Sequence, residues 1–254
     1  MRAARGGGGS GSGKCLLLAG LLLAAGCAHG SPRPEEDDSR WETFGISKEG
    51  RPIRGTVLGS GTDTALCFGV IHGNEPLGAP LLEELRRHLE RHPELLEGRR
   101  VVIVPVLNPD GLARRTRTNA AGVDLNRNFP ANNWSEHPRH GEWPASEPET
   151  RALLKILRQL RPSRILAVHS PLHCVNYDGP AEGLARDFAD ACGYPVRESI
   201  GYATPGSLGS YAGEDQGIPT ITLELAHDAN PSTLWRKMSG ALERFVTADA
   251  DVGN

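Results

Sequence analysis

Cysteine is scarce in this chain, five in 254 residues, and two of them, Cys15 and Cys27, fall in the N-terminal stretch. The other three, Cys67, Cys174 and Cys192, are odd in number, so at least one thiol has no partner within the chain. A small disulfide-stapled scaffold is therefore excluded. No run of Lys and Arg forms a basic patch, and 28 basic against 31 acidic residues leave a formal charge of −3, so nucleic acid is not an expected partner. The apolar run near the start, Leu16 to Ala25, is ten residues long, half of the roughly 20 needed to cross a bilayer as a helix. There is no internal repeat, and no low-complexity segment apart from the Gly/Ser run that precedes Leu16.

What the N-terminus does contain is ordered. Arg2, Arg5 and Lys14 supply a positive flank, Leu16 to Ala25 a short apolar core, and Gly26 a small residue before Cys27. That order predicts a secretory signal over residues 1–26. Leu23-Ala24-Ala25-Gly26-Cys27 also resembles the lipobox of bacterial lipoproteins, in which the cysteine is lipidated and becomes the mature N-terminus. The resemblance implies an exported chain held to the cell envelope through acyl chains on Cys27, its only attachment to a membrane. Ala28 rather than Asp after the cysteine points, by Gram-negative sorting rules, to the outer membrane facing the periplasm. An ordinary cleaved signal with an incidental cysteine is the alternative. Residues 27–40 carry Pro32, Pro34 and the acidic run Glu35 to Asp38 with almost nothing to bury, which predicts a flexible tether. Residues 41–254 are then enough for one sizeable domain. Setting aside the three basic residues of the signal leaves 25 against 31 acidic, a mildly acidic mature protein.

Within that domain, strand and helix patterns alternate. The apolar run Thr64 to Ile71 predicts a buried strand, and Leu81, Leu82, Leu85 and Leu89 mark one face of a helix over Leu77 to His92. A strand follows from Arg100 to Leu107, then a long loop from Asn108 to about Pro144, too long for a mere connection. Ser146-Glu147-Pro148-Glu149 reads as a capping box opening a helix to Leu160. A strand over Arg164 to Val168, a helix over Gly183 to Cys192, a strand over Thr220 to Leu225 and a helix over Ser232 to Val246 complete the pattern. The expected fold is α/β, with a mixed, largely parallel sheet and helices on both faces. Sites in such sheets gather at the carboxyl ends of strands. His72, Asn108, His169 and Glu224 each lie at or just beyond a strand end.

His72-Gly73-Asn74-Glu75 places an imidazole and a carboxylate in a strand-to-helix turn, two of the three protein ligands common in hydrolytic zinc sites. His169 closes a second strand and can complete a His/Glu/His set. Asn108-Pro109-Asp110-Gly111 is at minimum a turn. In Asp124-Leu125-Asn126-Arg127-Asn128-Phe129-Pro130 a guanidinium lies beside two amides, and the planar donor fork of Arg127 suits a carboxylate, the group an exopeptidase must grip. Asn128 reads as a loop-stabilising amide and Phe129 as core. Glu224 is a charge inside an apolar run and needs either an exposed edge or a task, such as general base beside a metal-activated water.

Taken together, these motifs resemble the zinc carboxypeptidases of the funnelin superfamily, and within it the murein peptide amidase branch. Besides the stretches above, the resemblance rests on Ser146-Glu147-Pro148-Glu149-Thr150, His169-Ser170-Pro171-Leu172-His173-Cys174 and Gly201-Tyr202-Ala203-Thr204-Pro205-Gly206-Ser207. All run in family order from about Trp41 to Glu224. The resemblance implies one zinc ion on His72, Glu75 and His169, and Glu224 as general base. It implies Arg117 at the oxyanion, with Arg114 and Arg115 close by in sequence, and Asn126 with Arg127 on the substrate's terminal carboxylate. Tyr202 is the counterpart of a substrate-facing tyrosine or, alternatively, a packing aromatic. The implied reaction removes a C-terminal residue from a peptide, with a murein peptide cut between D-glutamate and diaminopimelate as the expected substrate. Three departures qualify it: familiar members of the branch lack a lipobox and work in the cytoplasm, the pocket loop reads His173-Cys174-Val175-Asn176-Tyr177-Asp178, and Leu208 stands roughly where specificity varies and carries no charge. The alternatives are a general carboxypeptidase, an aspartoacylase-like deacylase, against which Asn108 to Gly111 and Asn126 to Pro130 speak, and a non-catalytic peptidoglycan-binding lipoprotein.

Overall fold

A computed structural model describes residues 40–249. The signal segment, Cys27 and the tether up to residue 39 lie outside the described residues, as do residues 250–254. Among those described, no helix is long and apolar enough to cross a membrane.

Eight strands form one mixed sheet: β1 (Glu42–Ile46), β2 (Pro52–Leu58), β3 (Asp63–Gly69), β4 (Arg99–Val104), β5 (Arg164–His169), β6 (Leu172–Asp178), β7 (Val196–Arg197) and β8 (Thr220–Ala226), in the spatial order β1-β2-β4-β3-β5-β8-β6-β7. The central strands β4, β3, β5 and β8 are parallel, and β6 pairs parallel with β7. The joins of β1 to β2, β2 to β4 and β6 to β8 are antiparallel. Among the described residues five α-helices accompany it: α1 (Gly78–Arg91), α2 (Pro109–Arg114), α3 (Pro148–Leu160), α4 (Glu182–Cys192) and α5 (Pro231–Thr247).

Both faces of the central strands are buried, which is why they read as continuous apolar runs. Strand alternation divides the core in two: Ala65, Cys67, Leu166 and Val168 pack with α1, α4 and α5, while Leu66, Phe68, Ile165 and Ala167 pack with α3 and with Leu125 and Phe129. The expected stripe Leu81, Leu82, Leu85 and Leu89 is the buried face of α1. Cys67, Cys174 and Cys192 are all buried free thiols, and burial pushes that of Cys67 up to about 12.

Three expectations are corrected. The capping box does not form: Glu147 is the residue before the first turn of α3 and makes no side-chain cap, Ser146 Oγ donates to the Glu147 carboxylate, and Glu149 instead accepts from the Lys48 N–H and the Asn119 amide. Pro148 at the first turn removes an N–H that would otherwise need a cap. The span after Asn108 is not structureless, since it holds α2 and a short 3-10 turn, Leu125–Arg127. Strands β1, β2, β6 and β7 were not expected, because each is short or mixes exposed with buried positions, as in the half-open face of β6.

Candidate metal centre

The turn after β3 leaves the sheet through Val70 in a left-handed conformation (φ 52°) and delivers buried His72 and Glu75. It is stitched to the next strand end by Asn108, whose backbone N–H donates to the Val70 carbonyl and whose side-chain amide donates to that of Ile71. Asn108 Oδ1 also accepts from the Gly111 N–H and so caps α2, which makes Asn108 to Gly111 a brace for the histidine turn rather than a turn alone. Two glycines permit the contact: a Cβ on Gly73 would fall 1.9 Å from the Gly111 carbonyl carbon.

β5 lies next to β3 in the sheet and delivers His169 from its final position. The Glu75 carboxylate sits between the two rings, Oε1 at 2.9 Å from His72 Nδ1 and Oε2 at 3.0 Å from His169 Nδ1. Donor atoms of these three residues all lie within 4.8 Å of one another. Two imidazoles and a carboxylate converging in a buried pocket are a donor set that fits zinc in its hydrolytic form. Burial pushes the Glu75 carboxyl up, yet hydrogen bonds and charge from His169 and His72 outweigh it and hold the group well below the usual carboxylate range.

Asp124 is a participant that the sequence did not single out. Its Oδ1 lies 3.0 Å from His72 Nε2, and its Oδ2 accepts from Arg117 Nε at 2.8 Å. A carboxylate on the far ring nitrogen fixes the tautomer that leaves Nδ1 free as a ligand, and it raises ligand basicity. Burial works against a charged His72, but the bonds to Asp124 and Glu75 prevail and raise its pKa. Asp124 itself is held below the carboxylate range, the cost of burial being offset first by His72. The available signal was an acid between the buried apolar residues Val123 and Leu125, which must find a partner.

The remaining expected residues line the same open cleft. Glu224 is buried within β8, directly across from His169 in register, and accepts from the Leu172 N–H at 3.4 Å. It is on an interior strand, so an exposed edge does not explain its charge. Arg117 reaches Glu75 Oε1 at 3.4 Å through Nη1. Arg114 turns instead to Glu49, and Arg115 ends α2 in a left-handed conformation, so of the three neighbouring arginines it is Arg117 that the fold brings to the cleft. Asn126 Oδ1 accepts from the Leu208 N–H, and Arg127 Nη1 donates to the Asn126 carbonyl. Burial lowers the Arg127 pKa. Tyr202 is 57 % exposed at the rim and is not a packing aromatic. Asn128 bonds the carbonyls of His140 and Trp143 and so pins the loop, and Phe129 is fully buried, both as expected.

The family profile described as zinc carboxypeptidase matches residues 35–252. Murein peptide amidase A of Escherichia coli (strain K12) is 34 % identical over 202 residues, which cover 71 % of this chain and 81 % of the relative. Among solved structures, the murein-tripeptide amidase of Escherichia coli O157 superposes with a TM-score of 0.71 at 29 % identity, covering 82 % of this chain and 92 % of that one. Bovine thrombin-activatable fibrinolysis inhibitor gives 0.72 at 21 % identity, covering 84 % and 89 %, a likeness of fold.

Proposed function

This chain belongs to the zinc carboxypeptidase family, and from that premise we propose that it removes the C-terminal residue of peptidoglycan stem peptides, cutting between D-glutamate and diaminopimelate. The observation that carries the reading is the convergence of His72, Glu75 and His169 with Glu224 beside them in one cleft. Likeness to the murein peptide amidases supports the substrate class.

His72, Glu75 and His169 would hold the ion. When bound, zinc supplies a Lewis acid that polarises a carbonyl and brings the pKa of a water to about 7. Glu224 takes the proton of the attacking water and later returns it to the leaving amine, general acid–base work of about 10²- to 10⁴-fold. Arg117, anchored on Asp124, presents fixed positive charge to the oxyanion that forms only in the transition state, where one such donor is worth about 3–4 kcal/mol. Arg127 has no carboxylate hydrogen-bonded to its fork among the described residues. A substrate's terminal carboxylate would supply one, with the Asn126 amide beside it.

Full-length protein incubated with zinc and the murein tripeptide is expected to release free diaminopimelate. Release of ordinary C-terminal residues from other peptides, with the tripeptide left intact, rejects the amidase reading and keeps the peptidase. We further propose that the enzyme acts from the bacterial envelope, lipid-anchored through Cys27, a reading that the lipobox-like Leu23 to Cys27 supports. Labelled palmitate is expected in the wild type and absent from Cys27→Ser, and equal labelling of both would remove the anchor.

A further inference from the structure

Asn126 and Arg127 rest on very little structure of their own. They belong to a three-residue 3-10 turn, Leu125–Arg127, within which Asn126 departs from helical geometry (φ −81°, ψ 23°). One attachment runs to the metal side, the Asn126 N–H donating to Asp124 Oδ1 at 3.1 Å. The other runs to a segment 82 residues further on, where the Leu208 N–H donates to Asn126 Oδ1 at 2.9 Å. That bond decides what Asn126 offers a substrate. A primary amide has an acceptor end and a donor end, and with Oδ1 committed to a backbone N–H the end left for the cleft is Nδ2. A flipped amide would set two donors against each other, which disfavours it by roughly 5- to 100-fold.

Leu208 is held in turn by the chain that follows the clamp. Gly206 gives both of its backbone groups to that chain: its carbonyl accepts from the Phe129 N–H at 2.9 Å, and its N–H donates to Asn133 Oδ1 at 3.0 Å. Asn133 Nδ2 donates to Ser210 Oγ at 2.9 Å, so one side chain brackets Leu208 from before and after. The approach is close: Gly206 is left-handed (φ 66°), and a Cβ there would fall 2.5 Å from the Arg127 carbonyl oxygen. Further out, the Asn132 N–H and Nδ2 donate to the Asp215 carboxylate at 2.7 and 2.8 Å. Asn133 is exposed and does not line the cleft, so it reaches a substrate only through Leu208 and Asn126.

We propose that Asn133 is a positioning residue for recognition of the substrate's terminal carboxylate. By bonding Gly206 and Ser210 it holds the Leu208 N–H on Asn126 Oδ1, and so keeps the donor end of Asn126 turned to the carboxylate that Arg127 grips. This rests on the peptidase reading above and deepens it. The terminal carboxylate carries the same charge before and during the reaction, so its clamp stabilises ground and transition states alike, and loosening it shows in KM rather than in kcat.

Three variants of the full zinc-loaded chain test this against wild type. Asn133→Ala removes both of its side-chain bonds, Asn133→Asp keeps an acceptor for the Gly206 N–H, and Asp215→Ala frees Asn132 while leaving Gly206 and Ser210 bonded. On the murein tripeptide, Asn133→Ala is expected to raise KM about 5- to 10-fold with kcat within about twofold, and the other two to stay within about twofold in both. Calorimetry reads the clamp without turnover, using the tripeptide and an acylated dipeptide, each with a reduced, uncleavable scissile bond and each made as free acid and as C-terminal amide. Wild type is expected to prefer acid to amide by roughly 100-fold. In Asn133→Ala that ratio falls about 5- to 10-fold while the affinity for the amide persists, a pattern that misfolding would not give. A ratio unchanged in Asn133→Ala, an equal fall in Asp215→Ala, or no rescue by Asn133→Asp overturns the proposal. Failure to cut the tripeptide rejects the murein reading alone, because the dipeptide pair still gives the ratio. A wild type that does not distinguish acid from amide on either scaffold removes the clamp, and the proposal with it.

Discussion

Replacing Asp124 by alanine removes the carboxylate that meets the far nitrogen of His72, and the consequence can be worked through its three bonds. Asp124 accepts from His72 Nε2 at 3.0 Å, from Arg117 Nε at 2.8 Å and from the Asn126 N–H at 3.1 Å. Without the first, the buried imidazole loses the partner that fixes its tautomer and the charge that raises its basicity. Zinc affinity should fall about 10- to 100-fold, or about 1.4–2.7 kcal/mol. Without the second and third, Arg117 and the Asn126 backbone lose an anchor, so kcat should stay depressed when zinc is added to saturation. Asp124→Asn keeps an oxygen for His72 but no charge, and should fall between wild type and alanine. Competition with a chromophoric chelator reads affinity without any turnover, and circular dichroism checks that each variant is folded. An alanine variant that holds zinc within twofold of wild type would show that the His72 orientation is set by packing alone.

Three other substitutions probe separate links. Gly73→Ala places a Cβ 1.9 Å from the Gly111 backbone, where neither loop can yield cheaply; a loss of about 1–3 kcal/mol is expected, seen as a drop of about 2–4 °C per kcal/mol in Tm, and an unchanged Tm would refute the close packing of the two turns. Glu224→Gln should lower kcat by about 10²- to 10⁴-fold with zinc content unchanged, and metal analysis showing an empty protein would reassign Glu224 to holding the ion. Asp63→Ala leaves Arg164, which is 3 % exposed, without its carboxylate, a cost of about 3 kcal/mol, at the low end of the buried-pair range because Asp63 is partly open to water. Burial raises the Asp63 pKa, but the Arg164 and Ser163 bonds outweigh it and the net shift is downward. The stabilisation is therefore present above the unfolded pKa of about 3.9 and is lost as pH falls below it. The gap between the urea midpoints of wild type and variant should start to close as pH falls below about 4, and a gap that widened with acid would contradict the linkage.

Periodicity exposed what was buried on both faces. The apolar runs of β3, β4, β5 and β8 and the stripe of α1 were legible because nothing polar interrupts them. β6 was not, since only two residues separate His169 from Leu172, which starts it, and it interleaves His173, Asn176 and Asp178 with its core positions. Of the site, His72 with Glu75 and Asn126 with Arg127 were legible because each pair lies in a short motif, and His169 because it closes a strand. Asp124 carries no such mark: it acquires meaning only from His72, 52 residues away. The capping pattern before α3 misled for the converse reason, because Glu149 found a better donor in Asn119 than in the helix end.

Core and chemistry on β8 answer to the same constraint. Ile221, Leu223 and Leu225 point into the layer formed by α1, α4 and α5, and alternation leaves Thr220, Thr222 and Glu224 to face the cleft. A slip of one residue against β5 would move every side chain to the opposite face, burying a carboxylate among leucines and setting a leucine beside His169. The hydrophobic side of the strand thus fixes the face and level of Glu224, opposite His169 on β5 and opposite Cys174 on β6. A mutation that loosened the packing of Leu223, which is fully buried in that layer, should therefore shift Glu224 from its level beside His169 and lower kcat while the far-UV circular dichroism stays that of the wild type.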